Sequence, residues 1–216
     1  RAGGIKRGKD TFMFPNGNKY TGEYKGDLMH GKGEFIWTNG NKYTGEFKNG
    51  MRNGKGILIY FYGQKYEGGF KNGYRDGKGK YEWSDGSYYE GDYKQGAKHG
   101  KGTYHFKSGN KYTGDWKKDR MNGHGVFYYK NGDVYTGSFL NDDRNGKGEI
   151  KFADGSSYSG DYKNDKMNGK GTYRFKSGAK YTGEFKNGNF HGKGIKYKSD
   201  GTVEQEGVWE NDNFKG

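Results

Sequence analysis

Apolar and polar residues alternate along short stretches of this chain with a period of two, as in Tyr43-Thr44-Gly45-Glu46-Phe47 and in Gly33, Phe35 and Trp37. No stretch repeats its apolar residues every three to four positions over a helical length, so the pattern predicts strands. Between Trp37 and Tyr43 lies Asn39-Gly40, and the same slot holds Asn16-Gly17, Asp85-Gly86, Ser108-Gly109, Asn131-Gly132, Asp154-Gly155 and Ser177-Gly178. These dipeptides are expected to supply the positive φ of tight hairpin turns. A second turn, residues 48–54 in one copy, leads into the next strand pair, and the simplest outcome is an antiparallel meander.

The strand pattern recurs every 23 residues. Tyr20, Tyr43, Tyr66, Tyr89, Tyr112, Tyr135, Tyr158 and Tyr181 form one column, with Gly two residues on and an aromatic two further, as in Gly45 and Phe47. A Gly-Lys-Gly follows at 31–33, 54–56, 77–79, 100–102, 146–148, 169–171 and 192–194, with Gly-His-Gly at 123–125. The expected division is a partial unit 1–19, eight regular units (20–42, 43–65, 66–88, 89–111, 112–134, 135–157, 158–180 and 181–203) and a degenerate unit 204–216. One hairpin cannot bury enough to hold itself together, so stability belongs to the stack and its ends are weakest. Glycine at an inward strand position needs a reason. The expected one is a ring from the adjacent strand lying over each bare backbone; the alternative is that these glycines mark bulges.

Composition changes this picture in one respect. Leu, Ile, Val and Phe total 27 of 216 residues and the formal charge is +13, values that in an unpatterned chain signal disorder. Forty-four glycines and 18 % aromatics in strict register argue for an ordered array instead. No apolar run approaches a membrane span, and no charged-then-apolar leader opens the chain, whose start at Arg1 looks internal to something longer. The absence of cysteine excludes thiol chemistry and, with no Asn-x-Ser/Thr sequon, fits a cytoplasmic or nuclear compartment better than a secreted one.

The unit from Tyr43 to Gly50, followed by Gly54-Lys55-Gly56, resembles the MORN (membrane occupation and recognition nexus) repeat, and the likeness covers nearly all of the chain. The resemblance implies an all-β, elongated single-layer antiparallel sheet, a rod or trough of tandem hairpins, without catalytic residues. It also implies a scaffold or targeting role in cytoskeletal, ciliary or membrane-junction settings. Three departures stand out. The acidic column Glu23, Glu46, Asp92, Asp115, Asp161 and Glu184 is broken at Gly69 and Ser138. The last unit has Gln205 in place of Tyr and one extra residue, and its preceding strand puts Lys196 and Lys198 where others place rings. This marks the C-terminal end as a candidate cap or self-association edge.

Parity separates Tyr43, Gly45 and Phe47 on one face from Lys42, Thr44, Glu46 and Lys48 on the other. No helix exists to cover the aromatic face, so a trough formed by Tyr66, Phe70, Tyr89, Tyr93, Tyr112, Trp116, Tyr135 and Phe139 is the expected docking surface for a helical or extended partner segment or a second copy. The polar face is expected to be a solvated lattice of mixed charge. Its lysine columns, among them Lys42, Lys48, Lys65, Lys71, Lys94, Lys111 and Lys117, advance about 9.6 Å per repeat and could meet an anionic membrane. Nucleic acid is disfavoured because lysines and rings point to opposite faces. Residues 26–32 imitate a phosphate loop but lack the Ser or Thr and the helix. His30, His99 and His191 recur at one repeat position too far apart for an intrachain zinc site, which leaves only a site bridging two copies, and no acid/base pair stands out. The reading is a soluble, non-enzymatic scaffold in a cytoplasmic assembly with no cofactor; the alternative is a peripheral membrane-targeting module.

Overall fold

The computed structural model describes residues 7–216, and the beginning of the partial unit 1–19 lies outside the described residues. The chain forms two compact units, divided between Lys107 and Ser108. In the first, strands β1 (Arg7–Met13), β2 (Lys19–Lys25), β3 (Leu28–Ile36), β4 (Lys42–Lys48), β5 (Met51–Ile59), β6 (Lys65–Lys71), β7 (Tyr74–Glu82), β8 (Tyr88–Lys94) and β9 (Ala97–His105) pair in chain order. The second has β10 (Lys111–Lys117), β11 (Arg120–Tyr128), β12 (Val134–Leu140), β13 (Asp143–Lys151), β14 (Ser157–Lys163), β15 (Lys166–Arg174), β16 (Lys180–Lys186), β17 (Asn189–Tyr197), β18 (Val203–Glu210) and the short β19 (Asn213–Phe214). These also pair in chain order. Every pairing is antiparallel and no helix occurs among the described residues. Each unit is thus a single-layer, all-β meander of tandem hairpins.

The two turns of each repeat exchange the roles the sequence suggested. At Asn39-Gly40 only the glycine takes a positive φ, 87°, and the Asn39 side chain accepts a hydrogen bond from the Asn41 N–H at 3.0 Å, so a longer loop closes Trp37 onto Asn41. The tight two-residue turn lies at Asn49-Gly50, where both residues have positive φ, 51° and 81°. That geometry matches the twist of the flanking strands. Its equivalents hold Asn72, Gln95, Lys118 with Asp119, Asn141 with Asp142, and Asn164 with Asp165, all at positive φ. Successive turns are tied together: the Asn41 side chain accepts from the Phe61 N–H at 3.1 Å, and the Gly73 N–H donates to the Arg52 carbonyl at 2.9 Å.

A one-layer sheet has no second layer to bury its apolar face, yet all eight column tyrosines are 0 % exposed. Both explanations for the inward glycines contribute. The Tyr43 ring lies over Gly45 of its own strand and Gly56 of the next, where a Cβ would overlap it, and its hydroxyl donates to the Glu46 carbonyl at 2.9 Å. The ring therefore covers the adjacent strand's glycine at Gly56, whereas a Cβ on Gly45 would meet the facing backbone first, the Gly56 Cα and the Lys55 carbonyl each at 2.5 Å, with the Tyr43 hydroxyl at 2.6 Å. Gly45 also borders a bulge: pairing runs from Lys42↔Ile59 to Gly45↔Gly56 and resumes at Phe47↔Arg52, so Glu46 alone faces three residues of β5. Phe47 then stands edge-on to Tyr20 and to Tyr43, each at 5.1 Å, and the same zigzag runs on through Tyr66, Phe70 and Tyr93. In the second unit it links Tyr112, Phe139, Tyr135, Tyr162, Tyr158 and Phe185. Edge-to-face pairs add about 0.5–1.5 kcal/mol each beyond area burial.

The degenerate C-terminal unit closes this zigzag. Trp209 is 3 % exposed, stands edge-on to Tyr181 at 5.3 Å, and donates its indole N–H to the Gly194 carbonyl at 3.2 Å. Phe190 stacks face to face on Tyr181, with ring centres 3.9 Å apart.

Candidate interaction faces

The aromatic face is built differently from the expected trough. Tyr66, Phe70, Tyr89 and Tyr93 in the first unit, and Tyr112, Trp116, Tyr135 and Phe139 in the second, are between 0 and 5 % exposed. They form the core of the layer, because each ring is clamped between its neighbours and the glycine backbone. What reaches the surface is a second column nearer the long loops: Trp37, Tyr60 and Trp83 in the first unit, Tyr129, Phe152 and Phe175 in the second, all half-buried. Between the columns the first unit holds Arg52 and Arg75. The Arg52 guanidinium donates to the Gly73 carbonyl at 2.6 Å and lies 5.3 Å from the Phe70 ring centre, 5.7 Å from Trp37 and 5.8 Å from Tyr43. Burial lowers its pKa, against the raising effect of Tyr60 and Tyr43. Arg75 repeats the arrangement over Tyr66, Tyr81 and Tyr93, and Arg144 does so over Tyr135 and Tyr162. The spacing of 23 between Arg52 and Arg75 was the signal for this cationic column, and a parity argument centred on the tyrosines passes over it.

The opposite face carries the lysines. Lys48, Lys71, Lys94 and Lys117 are exposed at the strand ends that enter the tight turns. Lys42 pairs with Glu34 at 2.6 Å and Lys65 with Glu67 at 2.8 Å, as a mixed-charge lattice requires. Lys111 lies 4.3 Å over the Tyr128 ring, and Lys80 and Lys180 cover Tyr88 and Tyr197 in the same way. Rings and lysines therefore share this face at three places, contrary to strict segregation, because Tyr88, Tyr128 and Tyr197 occupy positions that hold lysines, isoleucines or other residues elsewhere.

The acidic column has a specific duty that composition does not reveal. Glu46 accepts a hydrogen bond from the Lys55 N–H at 3.0 Å, Asp92 from Lys101 at 2.9 Å, Asp115 from His124 at 2.8 Å and Asp161 from Lys170 at 3.0 Å. Each carboxylate thus caps the unpaired backbone of the bulge opposite it. The Lys147 ammonium, 2.6 Å from Asp161, holds that carboxyl below the usual range, as does the Lys170 backbone bond. Along this face of the second unit the middle residues of the Gly-Lys-Gly motifs, His124, Lys147, Lys170 and Lys193, line a groove of about 860 Å³ together with Thr136, Thr172 and Thr182.

Among the described residues no group of three or more His, Cys, Asp or Glu is placed to hold a metal ion. Nor, among the described residues, is any helix long and apolar enough to cross a membrane.

Known proteins set this geometry in context. Among solved structures, the TCP domain of Drosophila melanogaster SAS-4, in complex with a proline-rich motif of Ana2, is similar at 15 % identity and a TM-score of 0.35, covering 92 % of this chain and 90 % of that one. The wild-type TCP10 domain of Danio rerio CPAP is similar at 11 % identity and a TM-score of 0.29, covering 93 % and 100 %. No curated protein matches. The MORN repeat model matches residues 20–42, 43–61, 66–88, 89–111, 112–134, 135–157, 158–180 and 181–203. With the Tyr, Gly and aromatic columns of all eight matched units now seen to build one recurring core, the chain belongs to the MORN repeat family.

Proposed function

We propose that the chain is a non-catalytic docking module that presents an aromatic and guanidinium surface to a partner protein in a cytoplasmic assembly of cytoskeletal or ciliary type. The observation that carries this reading is the band of Trp37, Tyr60 and Trp83 beside Arg52 and Arg75 on the first unit. These rings are half-buried, and no other layer of that unit lies over them. Trp, Tyr and Arg are the residues that concentrate binding energy at interfaces. The Arg52 and Arg75 guanidinium groups are already held by the Gly73 and Gly96 carbonyls, so little of their side-chain freedom is lost when a partner binds. Cross-linking mass spectrometry of the native assembly should identify a partner segment adjacent to this band. Trp37→Ala with Trp83→Ala should weaken binding of that purified segment at least tenfold while circular dichroism shows the sheet retained. Undiminished binding by the folded double variant would refute the reading.

A second reading rests on the exposed Lys48, Lys71 and Lys94 and the net charge of +13: a peripheral module for anionic lipid. Flotation with acidic vesicles that is lost as salt rises would favour it. No flotation at any salt would leave the protein-docking reading alone.

A further inference from the structure

The repeats differ at one position in a way that exposes a binding site. Where the acidic column carries a carboxylate, one oxygen lies against a positive-φ glycine. A Cβ built on Gly54, Gly123 or Gly169 would come 2.7, 2.7 or 2.9 Å from an oxygen of Glu46, Asp115 or Asp161. The same carboxylates accept the N–H of the residue after that glycine. The column is broken twice, with different results. At Gly69 the Asp76 carbonyl closes in on the backbone where a side chain would start, although the space over the facing Gly77 is empty. At Ser138 the side chain stops short: the atoms nearest a Cβ on Gly146 are the Ser138 Cβ at 3.4 Å and Oγ at 3.7 Å, ordinary contact distances, where Glu46, Asp115 and Asp161 bring a carboxylate oxygen to 2.7–2.9 Å of their glycines. Among the described residues no side chain accepts a hydrogen bond from the Lys147 N–H. Gly146 keeps the positive φ, 93°, of the capped bulges. Lys147 lines the groove of the second unit, with its ammonium on Asp161.

We propose that the bulge at Gly146 and Lys147 binds one external oxyanion, a carboxylate or a phosphate group, in the position that sibling repeats fill with their own Asp or Glu. The chemistry is that of the siblings. A backbone N–H beside a left-handed glycine forms a small concavity of positive potential, and a charged acceptor there makes a stronger hydrogen bond than a neutral one. The neighbouring groove lysines bias the site toward anions. The Ser138 hydroxyl, too short to cap the bulge, leaves room for the incoming oxygen. The site does not depend on the docking role proposed above, since a free anion is enough to reveal it.

Amide chemical shifts of the whole chain would test this, titrated with sodium acetate and separately with sodium phosphate, with chloride holding ionic strength constant. The Lys147 amide should show a saturable shift, while the Lys170 amide, already bonded to Asp161, should not. A response to acetate alone identifies a carboxylate site, to phosphate alone a phosphate site, and to both a general oxyanion site. Ser138→Asp should abolish the saturable response and raise the thermal midpoint, because it restores the internal cap; Ser138→Ala should keep the response. If Lys147 moves no more than Lys170 in either titration, or if Ser138→Asp responds like the unchanged protein, the proposal is overturned.

Discussion

Gly56→Ala reverses the usual sign of its substitution. Glycine in a strand interior costs about 0.5–1 kcal/mol relative to alanine, and Gly56 has no positive φ to preserve, so at an open site the exchange would stabilise. Here the new Cβ overlaps the Tyr43 ring. That ring is 0 % exposed, bonded through its hydroxyl to the Glu46 carbonyl, and flanked edge-on by Phe47 at 5.1 Å and Phe70 at 5.0 Å, so it has nowhere to turn. Expelling it would forfeit about 5 kcal/mol, from roughly 200 Å² at 25 cal/mol/Å², with about 1 kcal/mol more for its hydrogen bond. Local spreading of the strands costs about 1–3 kcal/mol and is the cheaper route. Set against the gain of about 0.5–1 kcal/mol from replacing a strand glycine, the expected net loss is up to about 2.5 kcal/mol. Urea unfolding followed by circular dichroism, in a double-mutant cycle with Tyr43→Leu, isolates the cause. Without the ring, Gly56→Ala should be neutral or stabilising by up to about 1 kcal/mol, giving a coupling equal to the spreading cost, about 1–3 kcal/mol. Repeat arrays can unfold locally, so hydrogen exchange at β4 and β5 should report the same loss. The reasoning fails if Gly56→Ala stabilises the unaltered protein, or if the two effects add within about 0.5 kcal/mol.

Two further outcomes follow from the same core. Burial raises the pKa of Tyr20, Tyr66, Tyr135 and Tyr181 from 10.0 to about 12. A folded pKa above the unfolded one means that this stability is fully present below pH 10 and is lost as pH rises toward 12. The share of tyrosinate absorbance contributed by the buried column should therefore appear as a steep alkaline step together with loss of the sheet, separate from that of exposed rings such as Tyr62 and Tyr74, and ionisation of every tyrosine with the sheet intact would contradict the burial argument. Glu46→Ala removes a bulge cap and should cost about 0.5–1.5 kcal/mol, whereas Glu67→Ala, which breaks only the exposed pair with Lys65, should stay within about 0.5 kcal/mol. Equal effects in thermal unfolding would show that the acidic column works by charge alone.

Much of the fold was legible because a strict period converts single-residue signals into columns. The parity of Tyr43, Gly45 and Phe47 placed these residues on the buried side, and the glycine dipeptides placed the turns. The turn types were not legible: Asn39-Gly40 and Asn49-Gly50 are the same two letters, and only the pairing around them decides which one closes in two residues. The same limit applies to the candidate surfaces. Rings such as Tyr66 and Trp116 look available in sequence because no helix is present to cover them, while in space neighbouring repeats cover them edge to edge. Trp37 differs from Trp116 in exposure and not in residue type, so composition cannot separate lining from core.

The order of residues alone determined that this aliphatic-poor chain would form tandem antiparallel hairpins with an aromatic side and a charged side, because alternation and a 23-residue period leave no other way to pair its strands. Tertiary structure decided which aromatics are core, what Glu46 and its counterparts do, and where a bulge stands uncapped. Each of these depends on distances between neighbouring strands: one ring's reach over a glycine two residues away or across the ladder, and one carboxylate's reach to an N–H on the facing strand. Sequence spacing fixes which residues recur, and packing fixes which of them remain free to meet something else.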